Sequence, residues 1–229
     1  MVVNLSFAAA GFLGAYRLGV TEALLRHGDK LLSSLKACAG ASAGALVDTI
    51  MITHCKEFTY RFACNVRSQR FGAVTPGYDF MLELREVIEE ILPPNTRKNS
   101  MVSSFTSREE LIKVLLASCF MPVYAGGKPV EFQGQKWIDG GFTNSLPILP
   151  VGRTITVSPF SGPQDISPAH KGISKLHLRL ANMSVVFSKD NIIKLNQTLF
   201  PPSLPRLNAL EQQGYQDAVY FLKKERWMQ

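Results

Sequence analysis

The stretch LKACAGASAG at residues 35–44 indicates how this chain folds. Its first half is a short apolar run typical of a strand, its second half is a turn of small residues, and the residues after it have the apolar density of a buried helix. A serine flanked two residues each way by glycine, between strand and helix, matches the nucleophile elbow. The turn strains the backbone of the serine, and only small neighbours let strand and helix approach closely. Ser42 is therefore the candidate nucleophile, and Gly40 and Gly44 are the glycines of its elbow.

The same order of strand, turn and helix opens the chain. Residues 2–7 form an apolar, β-branched run, residues 8–11 form a small-residue loop, and the helical pattern that follows stops at Gly28. Further strands are predicted at residues 101–105, 154–158 and 175–180, a hairpin around residues 133–134, and helices around residues 45–53, 58–66, 80–91, 107–117, 191–199 and 207–222. Strands alternating with helices predict an α/β fold with a mainly parallel central sheet sandwiched by helices. The length of 229 residues fits one domain, residues 1–229.

Composition and charge restrict the function classes. Hydrophobic residues are 46% and charged residues 19% of the chain, which excludes a disordered protein. The 25 Lys and Arg against 18 Asp and Glu give a net charge of +7, which favours anionic surfaces, either lipid headgroups or nucleic acid. Basic residues are scattered apart from a cluster at residues 223–226, so nucleic-acid binding is not expected. No uncharged run reaches the roughly 18 to 20 residues of a membrane-spanning helix.

Four cysteines bear on compartment and metal binding. Cys38, Cys55, Cys64 and Cys119 have irregular spacing, no C-x-x-C pair and apolar neighbours. This pattern is typical of reduced core thiols in an intracellular protein, so neither disulfides nor a zinc site is expected. The first residues also lack the basic start of a signal peptide, and the chain is not expected to be secreted.

A loop after the first strand can supply an oxyanion hole for Ser42. Residues 9–14 read AAGFLG and open a helix, so exposed backbone amides and the helix dipole would both favour an anion there. The amides expected to hold the oxyanion are those of Ala10, Gly11, Phe12 and Ala43. A dinucleotide fingerprint is the rival interpretation, but Ala9 stands where its first glycine belongs, and no G-K-[ST] phosphate loop is present. No cofactor is therefore expected.

Two arrangements could supply a base for Ser42. His170 or His177 would satisfy the chain order Ser, Asp, His of an α/β-hydrolase triad. Asp139, at the end of a predicted strand and before two glycines, could instead touch Ser42 directly as a dyad. An aspartate with its ordinary pKa of about 3.9 is a weak base, so a dyad requires burial of the carboxylate. The residue pattern leaves both arrangements open.

Short motifs spread over nearly the whole chain resemble, in order, those of the patatin-like phospholipases, in the branch of adipose triglyceride lipase and adiponutrin. The motifs are Leu5-Ser6-Phe7, Gly11-Phe12-Leu13-Gly14, Gly40-Ala41-Ser42-Ala43-Gly44, Pro122-Val123-Tyr124, Asp139-Gly140-Gly141, Asn144-Ser145-Leu146-Pro147, Thr156-Val157-Ser158-Pro159-Phe160-Ser161-Gly162 and Leu199-Phe200-Pro201-Pro202. The resemblance implies a Ser–Asp dyad without histidine, carried onto Ser42 and Asp139. It also implies an oxyanion loop around Gly11 and a DGG motif with Gly140 and Gly141.

The resemblance further implies what the protein acts on. The expected activity is hydrolysis of neutral lipid esters, namely triacylglycerol and retinyl esters, with acyl transfer as a second reaction and with no metal or cofactor. The expected partners are lipid esters at a membrane or lipid-droplet surface, and the expected location is intracellular and cytoplasmic, peripheral to membranes, lipid droplets or mitochondria. A protein co-activator is not specified. An apolar segment at residues 114–127 is expected either to line an acyl groove or, with more weight, to form core.

One departure from the family leaves a second function open. Between Pro94 and Met101, and again between Thr53 and Phe58, the chain is shorter than its relatives, which carry another sheet strand in the first of these regions. A missing strand exposes hydrogen-bonding groups and apolar surface of its neighbour. The alternative is therefore a catalytically impaired lipid-surface or regulatory protein with the same fold.

Overall fold

A three-stranded parallel sheet lies at the centre of the structure, a computed structural model. The structure describes residues 2–45, 56–92, 107–170, 172 and 176–228. Strand β1 (Val3–Phe7) is central and fully buried, with β2 (Leu35–Gly40) on one side and β5 (Arg153–Val157) on the other. Phe7 is in register with Gly40 and with Val157, so all three strands end at the same edge. Ligands of open parallel sheets bind at this carboxyl edge, which the loops after β1 and β2 both reach.

Helices flank the sheet and two antiparallel hairpins extend from it. The α-helices with both bounds in the described residues are α1 (Gly14–His27), α2 (Asp29–Ser33), α3 (Lys56–Ser68), α4 (Phe80–Ile91), α5 (Arg108–Ser118), α6 (Lys189–Leu199) and α7 (Leu204–Lys224). The hairpins pair β3 (Val130–Phe132) with β4 (Gln135–Trp137) and β6 (His177–Leu180) with β7 (Met183–Val186). One apolar core lies between the sheet, α1 and α7, and a second joins α3, α4 and α5. The carboxyl edge of the sheet lies where these two cores meet.

Side-chain caps fix where several helices begin. The Asp79 carboxylate accepts the amide of Leu82 at the start of α4, at 3.0 Å. The Ser107 hydroxyl accepts the amide of Glu110 at the start of α5, at 3.1 Å. Each cap satisfies a backbone amide that has no partner inside the helix.

The α/β fold with a parallel sheet flanked by helices is confirmed, as is the hairpin around residues 133–134. The predicted strand at residues 175–180 is present as β6, but it does not join the parallel sheet. Strand β6 pairs antiparallel with the unpredicted β7, outside the parallel sheet, because Ala181 adopts a φ of 50° and turns the chain back on itself. Leu176 and Leu178 are exposed, so their alternation does not mark a core face. The predicted strand at residues 101–105 and the predicted helix beyond residue 45 lie outside the described residues.

No helix in the described ranges combines the length and the apolar character that a membrane crossing requires.

Candidate active site

Ser42 occupies a strained turn at the carboxyl edge of the sheet. Its φ of 55° lies in the left-handed region, which non-glycine residues rarely adopt outside constrained sites. A Cβ on Gly40 would lie 2.4 Å from the carbonyl carbon of Gly44, and one on Gly44 would lie 2.4 Å from the carbonyl oxygen of Phe7. Both elbow positions therefore require glycine. Residues 43–45 continue from the serine as helix.

The Ser42 hydroxyl and the Asp139 carboxylate are in direct contact although they are 97 positions apart. The Oγ atom donates to Asp139 Oδ2 at 2.7 Å, and both side chains are buried. The other carboxylate oxygen accepts the amide of Gly141 at 2.6 Å. The Asp139 amide in turn donates to the carbonyl of Phe120 at 2.7 Å. Backbone contacts on both sides thus fix the orientation of the carboxylate towards the serine.

The two glycines after Asp139 allow this contact. A Cβ on Gly141 would lie 2.9 Å from Asp139 Oδ1 and 2.9 Å from the Cβ of Ala9, and one on Gly140 would lie 3.3 Å from the Cβ of Ala41. A side chain at position 141 would therefore collide with the carboxylate and with the loop after β1. The DGG motif is a steric requirement for bringing Asp139 against the elbow.

Burial makes Asp139 a stronger base than an exposed aspartate. Loss of hydration raises the pKa of its carboxyl group, and the hydrogen bonds from Ser42 and Gly141 oppose that rise in part. Burial, followed by the nearby charge of Asp139, also raises the pKa of the Cys119 thiol. Cys119 is therefore a neutral thiol beside the serine and does not compete with it as a nucleophile.

The loop after β1 presents unpaired amides next to Ser42. Gly11 has a φ of 46°, and a Cβ there would lie 2.0 Å from the carbonyl oxygen of Thr198 at the end of α6. Within the described chain, the backbone amides of Ala10, Gly11, Phe12 and Ala43 have no protein acceptor. Amides without an acceptor at the start of a helix form a site for an anionic oxygen. These are the four residues that the sequence predicts for the oxyanion hole, and their role stays a prediction.

Two polar residues that sequence reasoning missed support this arrangement. The fully buried guanidinium of Arg17 donates to the carbonyl of Ala8 at 2.6 Å and lies 3.5 Å from that of Gly11, so it joins the two ends of the loop. The Ser118 hydroxyl accepts the amide of Ser42 at 2.9 Å. An arginine within the small and apolar residues of α1 is a signal that could have identified Arg17, whereas nothing local distinguishes Ser118.

Two cavities meet at Ser42 and Asp139. The apolar cavity has an empty volume of about 880 Å³ including its opening, and its walls include Phe62, Phe80, Leu84, Val87, Ile88 and Ile91. The open cleft has an empty volume of about 1390 Å³ including its solvent-filled mouth, and its walls include Pro122, Phe142, Ser145, Ala181, Met183 and Leu199. Ser42, Asp139 and Gly11 line both. A molecule bound at the serine can therefore place one part in each space.

The histidines lie elsewhere in the described structure. His27 Nε2 is 2.6 Å from the hydroxyl of Tyr215, between α1 and α7. His177 is exposed on β6, and His170 lies in the loop before it. Of these three described histidines, none lines either cavity, and His54 lies outside the described residues. The hydroxyl of Ser42 has Asp139 as its hydrogen-bond partner instead.

Comparisons with known proteins agree on one family. A sequence profile described as patatin-like phospholipase matches residues 79–151. Human patatin-like phospholipase domain-containing protein 4 is 54% identical over 250 aligned positions, which cover 99% of both chains. Human omega-hydroxyceramide transacylase is 34% identical over 96% of this chain and 46% of its own length. Mouse 1-acylglycerol-3-phosphate O-acyltransferase Pnpla3 is 32% identical over 96% of this chain and 59% of its own length.

Proposed function

The chain belongs to the patatin-like phospholipase family, and on that premise we propose that it is a serine acyl-ester hydrolase of neutral lipids that works through a dyad of Ser42 and Asp139. We take residues 1–229 as one such domain. The observation that carries the proposal is the 2.7 Å hydrogen bond from the Ser42 hydroxyl to the buried Asp139 carboxylate. Lipid acyl hydrolysis or acyl transfer is the chemistry of the family, and its particular substrates here are part of the proposal.

Each step of the proposed reaction uses a group at the site. Asp139 takes the proton of the Ser42 hydroxyl while Oγ bonds to the ester carbonyl carbon, whose oxygen becomes negative. The amides of Gly11 and Ala43, with those of Ala10 and Phe12, donate to this oxygen. The carbonyl reforms as the bond to the alcohol breaks, and the alcohol oxygen takes the proton from Asp139. Water or an acceptor alcohol then gives a proton to Asp139 and attacks the acyl carbon. The bond from that carbon to Oγ breaks, and Oγ takes the proton from Asp139, which returns Ser42 to its free form.

The two cavities support an ester with an apolar acyl group. No Lys, Arg or Glu is found among the described residues that line the apolar cavity, so an uncharged chain is the occupant that costs least to place there. The open cleft offers room for the alcohol portion and for an incoming acceptor. We assign triacylglycerol and retinyl esters as substrates. Acyl transfer is a second reaction in this proposal, since two similar proteins carry names of acyl-transfer enzymes.

Labelling of the serine tests the proposal directly. The purified protein is expected to react covalently with a fluorophosphonate probe and to hydrolyse triacylglycerol and retinyl esters. Ser42→Ala is expected to reduce both signals to background because no other nucleophile is activated at the site. Ser68→Ala, an exposed serine at the end of α3, is the matched control and is expected to behave as wild type. A folded but unlabelled wild-type protein would instead favour the catalytically impaired lipid-surface protein.

Helix α4 is expected to set the length of the acyl chain. Phe80 at the start of α4 packs edge to face against Tyr124, with ring centres 5.5 Å apart, and Tyr124 lines both cavities together with Ser42. The reaction therefore takes place near Phe80, and Ile91 marks the far end of the apolar cavity. With a helix rise of 1.5 Å per residue, these positions are roughly 16 Å apart. That is about half of the ~30 Å hydrocarbon thickness of a bilayer, or one extended acyl chain.

Ile88→Phe is therefore expected to shorten the preferred acyl chain. Excluding about three methylenes at roughly 0.8 kcal/mol each would lower kcat/KM for palmitoyl esters about 50-fold. Butyryl esters do not reach this end, so their hydrolysis should change little. The measurement is the chain-length profile of p-nitrophenyl esters, with Leu82→Phe on the exposed face of α4 as the matched control. An equal loss at all chain lengths would contradict this role of α4.

A further inference from the structure

The loop beside the open cleft presents a valine to solvent in a strained conformation. Val123 is 88% exposed and has a φ of 71°. A β-branched residue in the left-handed region is an outlier that persists only where its surroundings enforce it. Here the amide of Ala125 donates to the carbonyl of Met121 at 2.8 Å, and the amide of Val123 donates to that of Gly126 at 3.1 Å. The fold thus holds an apolar side chain outward at an energetic cost.

Val123 belongs to a group of exposed apolar side chains. Phe71, Val74 and Phe200 are also exposed, and these four residues are called the rim patch below. Val74 and Val123 line the same surface groove. A Cβ on Gly72 would lie 3.8 Å from the ring of Phe200. The turn that contains Phe71 and Gly72 therefore lies against Phe200, which directly follows α6. The rim patch is therefore contributed by three separate segments that the fold brings together.

The rim patch borders the mouth of the open cleft. Pro122 and Tyr124, on either side of Val123, both line the cleft, as does Leu199, which precedes Phe200. The Tyr124 hydroxyl donates to the carbonyl of Leu199, which ties the two segments to each other. A surface that covered the rim patch would therefore face the entrance to Ser42.

Cations surround the rim patch. The Arg70 guanidinium lies 5.2 Å from the centre of the Phe71 ring, and Lys128 lines the groove that Val74 and Val123 share. Arg67 donates to the carbonyl of Pro201, next to Phe200, at 3.0 Å. Among the described residues that line the same groove, Asp79 is the acidic one, and its carboxylate caps α4. Positive charge therefore predominates around this apolar surface.

We propose that the rim patch and its cations, Arg67, Arg70 and Lys128, dock the protein on an anionic phospholipid surface with the cleft mouth facing the lipid. Apolar side chains enter the boundary between headgroups and acyl chains, while basic residues near the surface are attracted by anionic headgroups. Lipid is the occupant that meets both requirements, an apolar layer next to a negative one. Docking in this orientation lets an ester enter the cleft without crossing water. This inference rests on the proposed function, because it names the surface from which the substrate comes.

Vesicle binding tests the docking surface. Wild-type protein is expected to co-sediment with vesicles made of equal parts of phosphatidylcholine and phosphatidylserine, and much less with phosphatidylcholine alone. The double variant Val123→Asn, Phe200→Ser is expected to bind the mixed vesicles at least 10-fold more weakly. Asparagine tolerates positive φ better than valine, so the loop should keep its conformation. Arg70→Glu with Lys128→Glu should lose the preference for phosphatidylserine.

Controls separate docking from folding and from catalysis. Val151→Asn changes an exposed valine at the opposite edge of the sheet and is expected to bind vesicles as wild type does. Hydrolysis of soluble butyryl esters should be the same in the rim-patch variants and in wild type. If no variant or wild type hydrolyses esters, the proposed function fails while vesicle binding still decides the docking surface. The inference would be overturned if wild-type protein did not bind the mixed vesicles, or if the rim-patch variants bound them as tightly as wild type does. It would also be overturned if wild type were a dimer that these variants abolish.

Discussion

Replacing Asp139 with asparagine is expected to lower ester hydrolysis by about 10²- to 10⁴-fold, the usual contribution of a general base. The change keeps the size of the side chain and one acceptor oxygen for the Gly141 amide. It removes the ability to take the proton from the Ser42 hydroxyl, which donates to Oδ2 of the aspartate in the wild-type structure. The measurement is kcat/KM on butyryl and palmitoyl esters, compared with wild type at the same pH.

The pH dependence follows from the environment of the same carboxylate. Only the ionised form of Asp139 can accept a proton, and burial raises the pKa of the group. Activity of the wild type should therefore be lost as pH falls through this raised pKa, at a higher pH than an exposed aspartate would give. A pH profile of kcat/KM that stayed flat down to the ordinary aspartate pKa would contradict the role of Asp139 as base.

Stability should change in the opposite sense to activity. Because the pKa of Asp139 is raised in the folded state, the folded protein binds this proton more tightly than the unfolded chain does. The ionised carboxylate thus costs stability, and this cost develops as pH rises from the ordinary aspartate value through the raised pKa. Asparagine carries no charge to bury, so Asp139→Asn is expected to melt at or above the temperature of wild type at neutral pH.

Histidine variants complete this test. His170→Ala and His177→Ala are expected to keep most of the activity, because neither residue lines the cavities that meet at Ser42. A large loss of activity in either folded variant would overturn the dyad. Thermal melts of each variant confirm that lost activity reflects lost chemistry and not unfolding.

Local steric rules made the elbow predictable from sequence. The turn itself requires glycine at position 40, and the close approach of β1 requires it at position 44, so five consecutive residues carry the signal. Predicting the contact with Asp139 required more information than local sequence, because no spacing along the chain fixes which distant strand end meets the elbow. Residue patterns alone left a histidine base open, and the family resemblance selected the aspartate.

Long-range packing limited the remaining predictions. The apolar segment at residues 114–127 was expected to be groove or core, and it divides between the two roles. Leu115 and Leu116 are buried in the core of α3, α4 and α5, while Met121 and Tyr124 line the apolar cavity. The main wall of that cavity is α4, whose pattern predicts only an amphipathic helix. The cavity beside α4 arises from packing among helices that are far apart in sequence, so the sequence pattern of α4 could not predict it.

The crossing of α1 and α7 gives the largest expected effect on stability. A Cβ on Gly19 would lie 1.8 Å from the carbonyl oxygen of Glu211, and one on Gly214 would lie 1.9 Å from that of Tyr16. The obstructing atoms are backbone, so a rotamer change cannot relieve the overlap. The two helices would have to separate, although the Tyr16 hydroxyl donates to Asp217 at 2.8 Å and the core between helices and sheet depends on their contact.

Gly214→Ala is therefore expected to destabilise the protein by about 3 kcal/mol or more, within the range of severe overpacking. The expected loss of stability is opposite in sign to the effect of helix propensity, because glycine to alanine in an unobstructed helix stabilises a protein by about 1 kcal/mol. Urea unfolding at neutral pH measures the difference, with Gln212→Ala at an exposed position of α7 as the matched control near zero. A Gly214→Ala protein as stable as wild type would show that the helices can cross at a larger separation, and that the close approach at Gly19 and Gly214 is not what holds α7 against the sheet.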